Sequence, residues 1–247
     1  MDNVFGVPVI TLDVDWAPDC VMDSVAEILI SASVRATWFV THLSPAVLRL
    51  RERPHLFELG IHPNFFTGSS HGSDPGAVVR RCLEFVPDAR SVRTHGLVQS
   101  TNLLNQIFTE GPQLQADVSI LLPRARFAEP HILPFSGRPI MRLPYVWEDD
   151  VEMAREDAWW HLQDCAAIQG LMIFDFHPIH VYMNARQLSA YERLKGRVGQ
   201  LSSARPDQIK IEPSTSPGPG RMFREIVAHL ASAGRSLRIS DLVLNGA

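Results

Sequence analysis

Short apolar segments with the composition of buried β-strands alternate with segments of helical periodicity along most of this chain. Residues 8–14 form an apolar run rich in β-branched side chains, followed by helical spacing over residues 22–33 and a second strand-like run at residues 36–41. Strands that alternate with helical segments are typical of parallel sheets, because a parallel partner is reached only through a long crossover connection. The sequence therefore predicts an α/β fold with a parallel sheet, either open or closed into a barrel.

The same alternation continues into the C-terminal third of the chain. Further strands are predicted at residues 57–62, 91–94, 116–119, 140–143 and 171–176. Further helices are predicted at residues 45–53, 75–85, 103–108, 152–167 and 221–233. The run Ser-Pro-Gly-Pro-Gly lies within residues 196–220, which are expected to form an irregular surface loop. Because no interdomain linker is visible, a single catalytic domain is expected over residues 1–247.

The composition argues against several classes of partner. A formal net charge of -4 without a basic stripe argues against nucleic acid. No run approaches the ~20 apolar residues of a spanning helix, and the N-terminal residues lack a secretion signal, so a cytoplasmic protein is expected. Its expected partner is a small-molecule or saccharide substrate. A homo-oligomer is compatible with the sequence. The three cysteines, Cys20, Cys82 and Cys165, lack CxxC spacing and are expected to be buried thiols.

Two carboxylates close the first predicted strand. Asp13 and Asp15 stand two residues apart, so on a strand both side chains would point to the same face. Adjacent carboxylates repel each other unless a cation or a shared proton lies between them. Two acids in solvent at a strand end would show the same pattern, so the pair alone leaves both interpretations open.

Two histidines follow near the end of the third predicted strand. His62 ends that strand, and His71 lies in a loop rich in glycine and serine. A carboxylate with two imidazoles and open coordination positions suits a catalytic zinc or a similar divalent ion. Either histidine taken alone is more commonly a hydrogen-bonded core or surface residue.

Two later strand ends carry further candidates. Arg93 follows a predicted strand, and an arginine buried beside Asp13 would hold that carboxylate ionised and in place. His177 ends the last strong strand and could protonate a leaving amine. Proline directly follows both His62 and His177, which stops each strand and fixes the exit of the chain.

In their order, these segments resemble the motifs of the polysaccharide deacetylase superfamily, carbohydrate esterase family four. The matching segments are residues 11–15, 36–40, 58–62, 93–96 and 174–177. The resemblance implies a distorted (β/α) barrel of about seven strands and metal-dependent removal of N- or O-acyl groups from sugars. On this resemblance Asp13 is the general base and Arg93 positions it. Asp15 and His62 are metal ligands, and His177 is the general acid.

The sequence departs from the common form of the family at several positions. Phe66 stands where the family has its second histidine ligand, so His71 is predicted to supply the third ligand to the divalent ion, with Zn²⁺ the expected metal. Val14 separates two aspartates that are adjacent in the commonest form of the first motif. His95 replaces the usual proline after the arginine and is expected to point into the pocket as a substrate contact.

Further substrate contacts are predicted near the same strand ends. They are Trp16, Trp147, Glu148, Asp149 and His180. Trp147 would stack on a sugar ring, and Glu148 or Asp149 would bind a polar group. Acids are also favoured at a helix N-terminus, so the same residues fit a helix start equally well.

The leading prediction is a metal-dependent deacetylase or related C–N hydrolase acting on an acylated amino sugar or a sugar-bearing intermediate. Hydrolysis of a small cyclic or linear amide is an alternative that the same scaffold supports. A metal-free sugar-binding relative is a second alternative, suggested by Phe66. A phosphotriesterase-like or sugar-isomerase-like barrel is a third, although the chain lacks the His-x-His pair near its first strand that the former would show.

Overall fold

The strands and helices of the protein alternate as the sequence pattern indicates. The computed structural model describes residues 4–243. The strands are β1 (Pro8–Asp13), β2 (Ala36–Val40), β3 (Phe57–Ile61), β4 (Ser91–Val92), β5 (Ala116–Asp117), β6 (Phe127–Ala128), β7 (His131–Phe135), β8 (Arg138–Arg142), β9 (Trp147–Glu148), β10 (Gln169–Gly170) and β11 (Met172–Phe176). The helices are α1 (Asp19–Ser31), α2 (Pro45–Arg51), α3 (Pro75–Phe85), α4 (Thr101–Glu110), α5 (Asp149–Met153), α6 (Pro178–Met183), α7 (Leu188–Val198), α8 (Pro219–Ala233) and α9 (Ile239–Leu242).

The main sheet has nine strands in the order β7-β8-β5-β4-β3-β2-β1-β11-β9. All neighbours are parallel except the β7–β8 hairpin. Residues 143–146 carry the chain from β8, near one end of this order, to β9 at the other, and Tyr145 pairs with Leu121 on the way. Since so short a segment joins the two sides, the sheet curls into a distorted barrel, which confirms the predicted fold class. The seven predicted strands are present in this sheet, together with β7 and β9, and β6 and β10 pair in a second, two-stranded parallel sheet.

Continuous burial explains the strands at the centre of the sheet. All six residues of β1 and all five of β2 and of β11 are buried. Strands covered on both faces are near-continuous apolar runs rather than alternating ones, because helices or core side chains occupy both sides. Helix α8 packs one apolar stripe inward, with Met222, Phe223, Ile226, Val227 and Leu230 buried.

Two predicted elements differ from the structure. The helix predicted at residues 152–167 is wrong, because α5 ends at Met153 and a short 3₁₀ turn at Leu162–Cys165 is the only regular helical piece that follows before residue 168. The buried Glu152 carboxylate accepts the Trp159 N–H at 2.7 Å and pairs with Arg124 at 2.6 Å, so side-chain contacts replace a helical ladder there. The loop predicted at residues 196–220 begins later than expected, since α7 extends to Val198.

No helix within residues 4–243 is both long and apolar enough to cross a membrane. Cys82 and Cys165 are buried and Cys20 is half-buried, and all three are free thiols, as the spacing predicts.

Candidate active site

Polar side chains gather where β1, β3, β4 and β11 end. They are Asp13, Asp15, His62, Arg93, His95, Asp175 and His177. The carboxyl ends of parallel strands meet at one rim of the sheet, and α/β enzymes place their chemistry there. The structure therefore brings together residues from four segments that are up to 164 positions apart in sequence.

Arg93 lies at the centre of this rim and is fully buried. Its Nη1 donates to Asp13 Oδ1 at 2.9 Å and also pairs with Asp175, while Nη2 donates to Thr11 Oγ1 at 2.8 Å and Nε donates to the Val118 carbonyl at 3.1 Å. Burial disfavours the guanidinium charge, but Asp13 and Asp175 outweigh that effect and raise the pKa of Arg93. Asp13 is consequently held beside a permanent cation.

Aromatic rings enclose the Arg93 guanidinium on the interior of the barrel. Its Cζ lies 4.5 Å from the Phe39 ring centroid and 4.4 Å from the Tyr145 ring centroid, which are cation–π distances. A Cβ on Gly60 would stand 2.7 Å from the Phe39 ring, so only glycine leaves space for Phe39 at this position. The strand sequence around Gly60 thus shapes the floor beneath the buried cation.

Asp15, His62 and His95 converge on one point at the rim. Asp15 Oδ1 lies 3.2 Å from His62 Nε2 and 3.1 Å from His95 Nδ1, and the two ring nitrogens are 3.3 Å apart. His62 Nδ1 lies 2.8 Å from the Arg93 carbonyl, which can only accept, so Nδ1 is the donor of this hydrogen bond. His62 Nε2 therefore faces the carboxylates, 3.3 Å from Asp13 Oδ2 and 3.2 Å from Asp15 Oδ1.

This arrangement fits a divalent cation. Ligands bound to a tetrahedral zinc ion at about 2.0–2.1 Å stand about 3.3–3.4 Å from one another, close to the three separations measured here. Burial raises the pKa of Asp15, but hydrogen bonds with His177, His62 and His95 outweigh it and hold that pKa well below its usual range. The donor set of one carboxylate and two imidazoles is one that zinc and similar ions accept.

The backbone at Asp15 departs from the expectation of two acids on one strand. Strand β1 ends at Asp13, and both Asp15 and Trp16 adopt the left-handed conformation, with φ of 43° and 55°. Such residues cost on the order of 1 kcal/mol or more each and are concentrated at functional sites. The Trp16 N–H donates to Thr41 Oγ1 at 3.2 Å, which stabilises the turn that aims Asp15 at His62.

His71 does not join this cluster, contrary to its predicted role as a metal ligand. Its Nδ1 accepts the Asn64 N–H at 3.0 Å, and its Nε2 donates to the Thr41 carbonyl at 2.6 Å. Because both ring nitrogens are engaged, His71 anchors the loop that follows β3. His95, expected to contact substrate, forms with Asp15 and His62 a group that could hold a metal ion.

His95 is supported from its outer side. The Phe66 ring meets the His95 ring at a centroid distance of 5.9 Å and packs onto Gly96, whose φ is 60° and where a Cβ would lie 2.7 Å from that ring. His95 stands two residues after Arg93 and begins a short 3₁₀ helix, His95–Leu97, that follows β4. Phe66 thus supports the His95 ring beside Asp15 and His62.

His177 lies across Asp15 from the other two histidines. Its Nε2 is 3.4 Å from Asp15 Oδ2, and its Nδ1 donates to Asp149 Oδ1 at 2.7 Å. Burial lowers the pKa of His177, but Asp150 and Asp149 outweigh burial and raise that pKa well above its usual value. The imidazole is therefore held as a proton donor whose Nε2 faces the site.

Several predicted substrate contacts lie elsewhere. Trp147 is 1% exposed, donates from Nε1 to the Trp159 carbonyl at 3.1 Å and packs on Phe176, so it belongs to the core. Asp149 and His180 are also fully buried, and Asp149 orients His177 rather than reaching outward.

Trp16 and Glu148 do remain beside the cluster. The Trp16 ring lies 5.4 Å from the His95 ring, and Glu148 accepts a hydrogen bond from the Tyr145 hydroxyl at 2.9 Å. Burial raises the pKa of Glu148 to about 7. Asp175 and Tyr145, which contact Arg93, were not singled out from the sequence, although Asp175 stands two residues before His177 on the same strand face.

Comparison with known proteins identifies relatives of this chain. The sequence matches the family model of the WbmS-like polysaccharide deacetylases over residues 10–195. It is 35% identical to the solved structure of a WbmS protein from Bordetella bronchiseptica, described as a polysaccharide deacetylase involved in O-antigen biosynthesis, with a TM-score of 0.77 over 90% of both chains. The Bc1960 peptidoglycan N-acetylglucosamine deacetylase is 11% identical, with a TM-score of 0.49 over 99% of this chain and 90% of that one. No curated protein matches the sequence.

Proposed function

Because the chain belongs to the WbmS-like polysaccharide deacetylases, we propose that it removes an N-acyl group, most simply acetyl, from an amino sugar or a sugar-bearing intermediate in a metal-dependent reaction. The observation that carries the proposal is the convergence of Asp15, His62 and His95 beside a carboxylate held by Arg93 and an imidazole held by Asp149. The relative described as involved in O-antigen biosynthesis supports a substrate from surface-polysaccharide assembly.

We assign the metal to Asp15, His62 and His95, with Zn²⁺ the ion that best suits two imidazoles and one carboxylate. A divalent cation held there supplies a Lewis acid that polarises the acyl carbonyl and makes water more acidic. The second carboxylate group of the rim, Asp13 with Asp175, is occupied by the Arg93 guanidinium and is not a competing site.

Asp13 acts as the general base in this proposal. Arg93 holds its Oδ1, while its Oδ2 lies 3.3 Å from His62 Nε2 and so faces the cluster. That oxygen accepts the proton of the attacking water as the water oxygen bonds to the acyl carbon. Arg93 holds the Asp13 carboxylate in place through its 2.9 Å contact with Oδ1.

His177 acts as the general acid. As the C–N bond breaks, Nε2 gives its proton to the departing nitrogen, and the products are a free amine on the sugar and a carboxylic acid. Asp149 fixes the ring through Nδ1, so that the protonated Nε2 points at the rim. Trp16 and Glu148 border the same space and are proposed to contact the sugar.

The remaining parts of the proposal concern the setting of the reaction. We place the enzyme in the cytoplasm, acting on a saccharide intermediate before export, and assign the activity to one catalytic domain. Asp13, His62 and His177 come from strands of one sheet, which supports a single catalytic unit.

The test combines metal content with acetate release on the same samples. Four proteins are stripped with chelator, reloaded with Zn²⁺ and assayed on a panel of N-acetylated amino sugars and small cyclic amides. They are wild type, His62→Ala, His95→Ala and His71→Ala. We expect His62→Ala and His95→Ala to lose metal at the rim and at least 10²-fold in kcat/KM, on the order of the loss when a metal site or its supporting shell is disrupted, whereas His71→Ala keeps the metal.

Two results would contradict the proposal. Loss of the rim metal in His71→Ala with retention in His95→Ala would overturn the ligand assignment. Turnover of cyclic amides without any acetate release would overturn the sugar deacetylase assignment and favour the amide hydrolase.

A further inference from the structure

A second group of carboxylates and imidazoles lies behind His177, on the side of its Nδ1. Asp149 and Asp150 begin α5, and His180 lies in the first turn of α6. The ligand atoms of these three residues and of His177 all lie within 4.8 Å of one another. The proposed reaction uses Asp149 to orient His177 but assigns nothing to Asp150 or His180.

His180 is the unusual member of this group. It is 1% exposed, and its Nδ1 lies 3.1 Å from Asp150 Oδ1 and 3.3 Å from Asp149 Oδ1. Nevertheless, neither ring nitrogen of His180 makes a hydrogen bond within the part of the chain that the structure describes, and neither does the buried Asp150 Oδ1. Leaving a buried polar atom without a partner costs about 1–3 kcal/mol, so this arrangement is expensive unless something binds between the atoms.

The rim cluster has similarly close candidate ligand atoms. There, Asp15 Oδ1 lies 3.2 Å from His62 Nε2 and 3.1 Å from His95 Nδ1. Similar short distances recur at His180 with one imidazole and two carboxylates, but there the ring nitrogens make no hydrogen bond. In both places the candidate ligand atoms lie within 4.8 Å of one another.

We propose that Asp149, Asp150 and His180 bind a second divalent cation, distinct from the one at Asp15, His62 and His95. An imidazole with two carboxylates suits Zn²⁺, Mn²⁺ or a similar transition-metal ion, whereas Mg²⁺ and Ca²⁺ favour oxygen-only sites. The Asp150 side chain is 41% exposed, which leaves a path from solvent to the site. The Tyr191 ring covers His180 at a centroid distance of 4.8 Å.

The site would act on His177 through a shared carboxylate. Asp149 Oδ1 already accepts the His177 Nδ1 proton at 2.7 Å and the Asp150 N–H at 2.8 Å. Asp149 Oδ2 accepts the His177 N–H at 2.7 Å and keeps a second lone pair that can bind a cation. The cation would then fix Asp149, and through it the orientation of the His177 ring. Asp150 and His180 are positioning residues in this scheme, since neither is assigned a contact with the substrate.

The test counts metal ions in the full-length protein. Four proteins are stripped of metal, reloaded with Co²⁺ and dialysed: wild type, His95→Ala, His180→Ala and the double variant. Bound cobalt is then measured by mass spectrometry and by visible absorption. His229→Ala, an exposed histidine on α8, is the matched control, and Asp150→Asn is a second variant that keeps the side-chain shape should His180→Ala fail to fold.

Wild type and His229→Ala should each bind about two ions per chain, each single-site variant about one with a different absorption spectrum, and the double variant none. One ion in wild type that both His180→Ala and Asp150→Asn retain would overturn the second site. If His95→Ala kept all its metal while His180→Ala lost one ion, the second site would stand and the proposed rim ligands would fail.

Discussion

Replacement of Arg93 by methionine tests how the rim is held together. The substitution leaves Asp13 and Asp175, which are 5% and 0% exposed, without their shared cation. Breaking a buried ion pair by removal of one partner costs about 3–5 kcal/mol. For a domain of this size each kcal/mol corresponds to about 2–4 °C in Tm, so Arg93→Met should lower Tm by roughly 6–20 °C. Urea unfolding followed by far-UV circular dichroism measures the free energy.

A double variant separates this electrostatic effect from loss of packing. In Arg93→Met/Asp175→Asn only Asp13 keeps its charge, so the double variant should lose about 1–3 kcal/mol less than the sum of the two single variants. Burial raises the pKa of Asp175 well above its usual value, and the Arg93 guanidinium opposes that rise. Without Arg93 the pKa of Asp175 rises further, so the folded variant binds this proton more tightly than folded wild type does. The deficit of Arg93→Met should therefore shrink as the pH falls from 7 to 5. Additive losses, or a deficit below about 1 kcal/mol at pH 7, would refute the reasoning.

Three further predictions follow from burial and backbone geometry. Gly60→Ala places a Cβ 2.7 Å from a phenylalanine ring and should lower the free energy of unfolding in urea by about 1–3 kcal/mol. Gly196→Ala, in a helix and with open space around it, should raise that free energy by about 0.5–1 kcal/mol. Equal effects of the two substitutions would contradict the packing around Gly60. Burial raises the pKa of Cys82 and Cys165 to about 12, so at pH 8 both thiols should react with a disulfide reagent only after unfolding, and prompt reaction in the native protein would contradict their burial. Burial raises the pKa of Asp241, but neighbouring arginines outweigh burial and lower that pKa. Asp241→Asn should therefore be less stable than wild type above about pH 4, and this difference in the free energy of unfolding should disappear as the pH falls through the folded-state pKa. A difference that does not change with pH would contradict the ion pairing.

Strands with continuous burial were the most predictable part of the fold. Their apolar runs need no knowledge of distant partners, because both faces of a parallel strand are covered. The hairpin strand β7 was not predictable in this way, since four of its five residues are exposed and it contains Pro134. Helix α7 has a single buried residue, Leu194, and so presents little apolar periodicity to detect. Elements at the edge of the molecule were therefore the ones that sequence pattern missed.

Residues of the candidate active site were likewise predictable where local sequence fixes their direction, and not where contacts distant in sequence decide it. The polar residues that end strands could be identified because strand position fixes their direction, which holds for Asp13, His62 and His177. The proposed choice of His95 rather than His71 as third ligand could not be predicted, because both are single histidines in loops and His71 is nearer to His62 in sequence. What separates them is their hydrogen bonding. The Asn64 N–H and the Thr41 carbonyl engage both nitrogens of His71, whereas His95 presents Nδ1 to Asp15. A ligand is decided by which nitrogen remains free, and that depends on backbone groups brought together only by folding.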